Sequence, residues 1–157
     1  MTETLDQGSL APAFSLPGDG STTLTLEAFR GRKLVLYFYP KDDTSGCTKE
    51  AIDFNAARAD FNAADTEIVG MSADSVARHD KFKKKHGLDF PLAADESRTT
   101  LEAYGVWVEK SMYGRKYMGI DRATFLVDRS GKIARIWRKV KVPGHVQEVL
   151  AAARALD

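Results

Sequence analysis

Residues 34–54 read LVLYFYPKDDTSGCTKEAIDF, and their order of strand, loop and helix decides the fold. The apolar run at 34–39 is rich in β-formers and long enough for a strand covered on both faces. Pro40 ends that strand, because it lacks the N–H that a central strand donates. A polar loop spans 41–46, and a helix follows with the only cysteine of the chain in its first turn. From Cys47 the positions Ala51, Phe54 and Phe61 recur at i, i+4, i+7 and i+14, with Ala57 close to the same stripe. Cys47 therefore starts the inward helix face, at the end where unpaired backbone N–H groups favour an ionised thiol.

Working outward, SLAPAFSLP (9–17) is an extended entry segment, GDGS (18–21) a turn, and TTLTL (22–26) an alternating strand. Together they predict an N-terminal β-hairpin. Residues 26–29 form a helical turn ending at Gly31. Downstream, 66–71 (TEIVGM) is a second buried strand. A helix over 75–86 follows Ser72 and Asp74 as capping residues and stops at Gly87. A short strand falls at 90–93, and Ser97 opens a helix that Gly105 closes. The segment 106–119 reads as irregular or hairpin-like. Two strands, 123–127 and 132–137, are joined by Asp128-Arg129-Ser130-Gly131, which has hairpin-loop composition. A final helix over 145–156 carries Val146, Val149, Leu150, Ala153 and Leu156 on one face. Strands alternating with helices, then an antiparallel pair, predict an α/β protein with a mixed central sheet and helices on both faces. This is the architecture of a thioredoxin-like fold, in one domain spanning 1–157.

The formal net charge of +1 gives no electrostatic case for a nucleic-acid or anionic-membrane partner. The longest uncharged apolar run is far shorter than a bilayer span. The N-terminus is acidic and polar where a secretory signal is basic and then apolar, so a cytoplasmic location is expected. A single cysteine excludes an intramolecular disulfide, a multi-cysteine zinc site and a C-x-x-C pair. Lone cysteines are usually small buried hydrophobes. A Gly46-Cys47 step flanked by Thr44 and Thr48 at a loop-to-helix junction is a poor place for core packing, which argues for chemistry instead. His79, His86 and His145 are scattered and lack metal-ligand spacing, so neither metal nor cofactor is expected.

Pro40-x-x-x-Thr44-x-x-Cys47 resembles the active-site signature of the peroxiredoxins. The longer YFYPKDDTSGCTKEA is similar to the bacterioferritin-comigratory-protein, or peroxiredoxin Q, branch. The resemblance extends over Ala11-Pro12-Ala13-Phe14, Gly105-Val106-Trp107 with Glu109-Lys110, and GIDRATFLVD at 119–128. It implies a thiolate attack by Cys47 on the O–O bond of hydrogen peroxide or an organic hydroperoxide, giving a sulfenic acid. It also selects Arg122 among the many arginines as the cation beside the thiol, its planar fork suited to thiolate and peroxide oxygen. Thr44 then holds one peroxide oxygen, Glu50 orients Arg122, and Pro40 shields the thiolate.

The chain departs from the branch where many members carry a resolving cysteine five residues on: Ile52 stands there. The alternative location in the next helix, near Phe82-Lys83, has none either. One-cysteine chemistry is therefore expected, with reduction by an external thiol: thioredoxin, glutaredoxin, a low-molecular-weight thiol, or Cys47 of a second molecule. A monomer or weak homodimer is the expected state. The competing reading is a thioredoxin-like redox sensor or protein-binding domain, oxidised at Cys47 without turnover. A less favoured one is an inert scaffold with a buried thiol. On spacing alone, Thr44 is a loop residue or a helix cap, and Arg122 one of many surface arginines. Asp42-Asp43 cap or solvate a loop, residues 81–86 form a solvated basic face, and Trp107 and Trp137 belong to the core or a pocket rim.

Overall fold

The computed structural model describes residues 5–157. Nine strands are present among them: β1 Ser15–Gly18, β2 Thr22–Thr25, β3 Lys33–Phe38, β4 Thr66–Ser72, β5 Leu92–Ala94, β6 Trp107–Met112, β7 Arg115–Ile120, β8 Ala123–Val127 and β9 Ile133–Trp137. Five helices accompany them: α1 Ser45–Ala56, α2 Arg58–Ala63, α3 Val76–His86, α4 Thr99–Ala103 and α5 His145–Ala155. Seven strands make one mixed sheet in the order β2-β1-β5-β4-β3-β8-β9. β3 is parallel to β4 and antiparallel to β8, so the cysteine-bearing stretch leaves from the middle of the sheet.

Every residue of β3 is buried, and the pleat sorts them. Val35 and Tyr37, with Tyr39 just past the strand, face one core with Cys47, Ala51, Phe54, Phe61, Phe82, Val149 and Leu150. Leu34, Leu36 and Phe38 face a second core with Phe14, Leu101, Tyr104, Ile120 and Phe125. Helices thus cover both faces: α1, α2, α3 and α5 on the first, and α4 with the N-terminal segment on the second. The N-terminal hairpin forms as expected, pairing Ser15–Gly18 with Thr22–Thr25.

The helix around Cys47 is not one rod. It breaks at Ala57, where ψ opens to 1° and the N–H is shared between the Asp53 and Phe54 carbonyls. Phe61 nevertheless stays in the same core, because α2 resumes along the same side of the sheet. Residues 106–119 settle as a regular hairpin, β6 with β7. Its two-residue loop, Tyr113-Gly114, has φ of 51° and 78°, the mirror-image turn whose twist matches the flanking strands. α3 begins at Ser75, whose Oγ accepts from the Arg78 N–H, and ends at Gly87 with φ 62°. No helix among the described residues is long and apolar enough to cross a membrane.

Candidate active site

Cys47 sits in the first turn of α1 directly after the loop that leaves β3 at Pro40. It is 1% exposed and packed in the first core, so the Gly-Cys step is a core position after all. Burial and reactivity coexist because one flank of the sulfur is polar. Arg122, between β7 and β8, places Nη2 3.5 Å from Cys47 Sγ and donates from Nη1 to Glu50 Oε1 at 2.7 Å. Helical spacing puts Glu50 one turn beyond Cys47, and the chain crossing from β7 into β8 brings Arg122 over both. Arg122 is thus half-buried between two groups that take negative charge. Burial opposes its charge, but Glu50 and Cys47 beside it hold it above the ordinary arginine range.

Glu50 is wholly buried, and burial pushes its carboxyl up to about 7 against the pull of Arg122. Its second oxygen, Oε2, has no hydrogen-bond partner, and neither has the buried Tyr37 hydroxyl on β3. Burial, with the charges of Glu50 and Cys47 close by, holds Tyr37 well above its usual range and keeps it neutral. His145, at the start of α5, is pushed down to about 4 by burial and by the Arg122 charge. It is a neutral ring at physiological pH, hydrogen-bonded through Nε2 to Thr124 Oγ1 at 2.8 Å. The polar flank therefore holds one fixed positive charge, Arg122, aimed at the sulfur.

Thr44 occupies the backbone cap position of α1, but its hydroxyl does not cap the helix. It donates to the Lys41 carbonyl at 2.9 Å, which leaves its oxygen lone pairs free to accept. Pro40 is half-buried between β3 and this loop. The structure therefore joins Arg122, Glu50 and Cys47 directly, and sets Thr44 and Pro40 on the loop that leads into them.

Four features of the surroundings carried no usable signal in the sequence. Gly46 permits the close approach of Arg122: a Cβ built there lies 3.2 Å from Arg122 Nη2. Asp42 and Asp43 do more than solvate their loop. Asp42 pairs with buried His79, and Asp43 with Lys85 and His86 of α3. The basic run at 81–86 is correspondingly only partly a solvated face, since Lys83 also pairs with Asp19. His79 is not isolated either, lying with Asp42 and Asp74 in one buried group. These partners are tens of residues apart, so no local periodicity links them. The Gly-Cys step was visible and the resemblance named Arg122, but no pattern along the chain showed that Gly46 must make room for its guanidinium.

Comparison with known proteins places this geometry in context. The family described as AhpC/TSA matches residues 7–136. A putative peroxiredoxin bcp of Coxiella burnetii is 48% identical over 146 residues, covering 93% of this chain and 97% of its own. Peroxiredoxin Bcp of Bacillus subtilis is 47% identical over 154 residues, 98% of each chain. Among solved structures, the Xanthomonas campestris bacterioferritin comigratory protein, studied for alkyl peroxide reduction, superposes with a TM-score of 0.90. It is 45% identical, with 96% of this chain and 98% of that one covered. Xylella fastidiosa PrxQ superposes at 0.92 with 39% identity, over 98% of both.

Proposed function

The chain belongs to the AhpC/TSA family of peroxiredoxins, and from that premise we propose a one-cysteine thiol peroxidase. It reduces hydrogen peroxide and organic hydroperoxides through Cys47. The observation that carries this is the Arg122 guanidinium held between Glu50 and the Cys47 sulfur at the N-terminal turn of α1.

The Cys47 thiolate attacks the terminal oxygen of the hydroperoxide. An S–O bond forms, the O–O bond breaks, and the electron pair of that bond leaves on the second oxygen. The departing alkoxide or hydroxide takes a proton to become alcohol or water, and Cys47 is left as sulfenic acid. Negative charge moves from sulfur to the leaving oxygen, so a fixed cation spanning both positions lowers the barrier throughout. Arg122 is assigned that role, and Glu50 holds its fork in place. Thr44, with its lone pairs free, accepts from the peroxide O–H and orients it; Pro40 closes the loop over the sulfur. A narrow oxidant suits a sulfur this buried.

Two equivalents of an external thiol return the enzyme. The first condenses with the sulfenic acid, releasing water and forming a mixed disulfide. The second displaces Cys47 as thiolate. With one cysteine in the chain, no internal partner can take the first step. Thioredoxin, glutaredoxin or a small thiol is assigned as donor, in the cytoplasm, to a monomer or weak homodimer.

Single-turnover oxidation of Cys47 by hydrogen peroxide, compared with free cysteine at neutral pH, tests the reading. A rate orders of magnitude above free cysteine is expected, together with complete loss of peroxide consumption in Cys47→Ser. A rate like that of free cysteine would overturn it. A fast first turnover that no donor thiol renews would assign the chain to redox sensing instead.

A further inference from the structure

We propose that His79 is a positioning residue for Thr44: through Asp42 it fixes the loop that presents the Thr44 hydroxyl to peroxide. The inference rests on the peroxidase reading and adds to it a residue remote from the reacting sulfur.

The geometry is that of a proton-dependent bolt. His79 is fully buried in α3, and its two ring nitrogens face two acceptors. Nδ1 lies 2.6 Å from Asp42 Oδ2, and Nε2 lies 2.9 Å from the Ala93 carbonyl of β5. A carbonyl has no proton to give, so Nε2 carries one. The 2.6 Å contact with the carboxylate requires a second proton between Nδ1 and Oδ2. Asp42 and His79 together therefore hold one proton more than an aspartate and a neutral imidazole. Burial alone would push the imidazole down, but the hydrogen bond and charge of Asp42 hold it above its ordinary value.

Everything else around the ring reinforces this arrangement. Tyr39, just past β3, donates to Asp42 Oδ1 at 2.5 Å. The Asp42 backbone N–H donates to Asp74 Oδ2 at 2.8 Å, and the Ser72 hydroxyl to the same oxygen at 2.7 Å. Arg78 on α3 reaches Asp74 Oδ1 at 3.8 Å. The ligand atoms of Asp42, Asp74 and His79 lie within 4.8 Å of one another, but each is engaged in this network, which reads as a fastening and not as a cation site. Outside it, Asp43 adopts φ 62° and is held by Lys85 and His86.

The loop is thus fixed to α3 immediately before Thr44, whose own hydroxyl is tied to Lys41 within the same loop. Loss of the extra proton leaves either Asp42 or Ala93 facing a ring lone pair in the protein interior. An unmet acceptor there costs about 1–3 kcal/mol, enough to release the loop without unfolding the chain.

The test follows Cys47 oxidation by hydrogen peroxide as a function of pH. The wild-type rate should fall along an alkaline limb above the ordinary histidine value of about 6.5. His79→Gln should lack that limb and react about tenfold more slowly at neutral pH, the scale of a modest misplacement. In a Thr44→Val background the same substitution should add little. Alkylation of Cys47 by iodoacetamide, which needs no Thr44, should be no slower in His79→Gln than in the wild type, because releasing the loop uncovers the sulfur without disarming it. Asp42→Asn supplies an independent route: its pair shares no titrating proton, so it too should lose the limb. A limb persisting in either folded variant, or full additivity with Thr44→Val, overturns the role of His79. If wild-type Cys47 reacts no faster than free cysteine, the peroxidase reading fails instead.

Discussion

Replacing Glu50 by Gln should raise the stability of this protein while lowering its activity. A buried ion pair broken by removing one partner ordinarily costs about 3–5 kcal/mol. Here the carboxyl itself points the other way. Burial raises Glu50 from 4.5 to about 7 even with Arg122 attached, so near neutrality the native state holds the acid and the carboxylate at equal free energy. The unfolded chain gains from ionising Glu50 at every pH above its ordinary value. Each pH unit between the two values shifts the balance by about 1.4 kcal/mol.

The sign follows from proton binding. A group whose native value is raised contributes stability that is full below its unfolded value and lost as pH rises through the native one. Glu50 therefore withdraws about 3 kcal/mol of stability between pH 4.5 and about 7. Gln resembles the protonated acid: Oε1 can still accept from Arg122, and the amide takes the place of Oε2, which has no partner in the wild type either. The stability difference should be near zero at low pH and reach about 3 kcal/mol in favour of Gln at neutrality and above. Urea unfolding followed by Trp107 and Trp137 fluorescence across that range measures it. Single-turnover oxidation should slow by about tenfold, since Arg122 keeps a neutral acceptor but loses its counter-charge. Loss of about 3 kcal/mol or more in Glu50→Gln at neutral pH would show that the ion pair outweighs the cost of burial, and a difference that does not grow with pH would show that the Glu50 carboxyl is not raised.

Arg122→Ala should slow Cys47 oxidation by about 10²-fold or more, the scale of losing an oxyanion donor; stopped-flow kinetics read it directly. Gly46→Ala should hold or slightly raise the melting temperature, because Ala is the better helix former. It should nevertheless slow oxidation severalfold, because the new methyl meets Arg122 Nη2 at 3.2 Å while Glu50 pins the same guanidinium. His145 adds a term of opposite sign to that of Glu50. Its value is depressed to about 4, so its contribution is present above the ordinary histidine value and lost as pH falls through about 4. In wild type the two oppose each other; in Glu50→Gln, urea unfolding should show stability falling across that window.

The frame of the fold follows from local pattern. A short apolar run of β-formers stopped by Pro40 reads as a covered strand, and the stripe from Cys47 through Phe61 reads as helix lying on it, which the structure divides at Ala57 into α1 and α2. The hairpin at either end and the stop of α3 at Gly87 were legible because Gly, Ser and Asp turn chemistry is local: φ sign and capping act within a few residues. The cap of α3 is Ser75, not Ser72 or Asp74, whose side chains bond each other instead. Residues 106–119 resisted, because Tyr113-Gly114 carries the turn between strands whose exposed faces lack clean alternation. The break at Ala57 was equally hidden, since a shared N–H leaves no mark in an apolar pattern.

Which charges meet is a different matter: the resemblance named Arg122 and Glu50, but no spacing along the chain pairs either Arg122 with Cys47 or His79 with Asp42. Arg122 lies 75 residues from the sulfur it approaches, and His79 lies 37 from Asp42. Helical spacing could align Glu50 with Cys47, but not say that burial would carry its carboxyl to about 7. Backbone preferences and amphipathic periods are properties of neighbours along the chain. Desolvation and charge pairing are properties of neighbours in space, and the strands β3, β4, β5 and β8 create that neighbourhood when they close into one sheet.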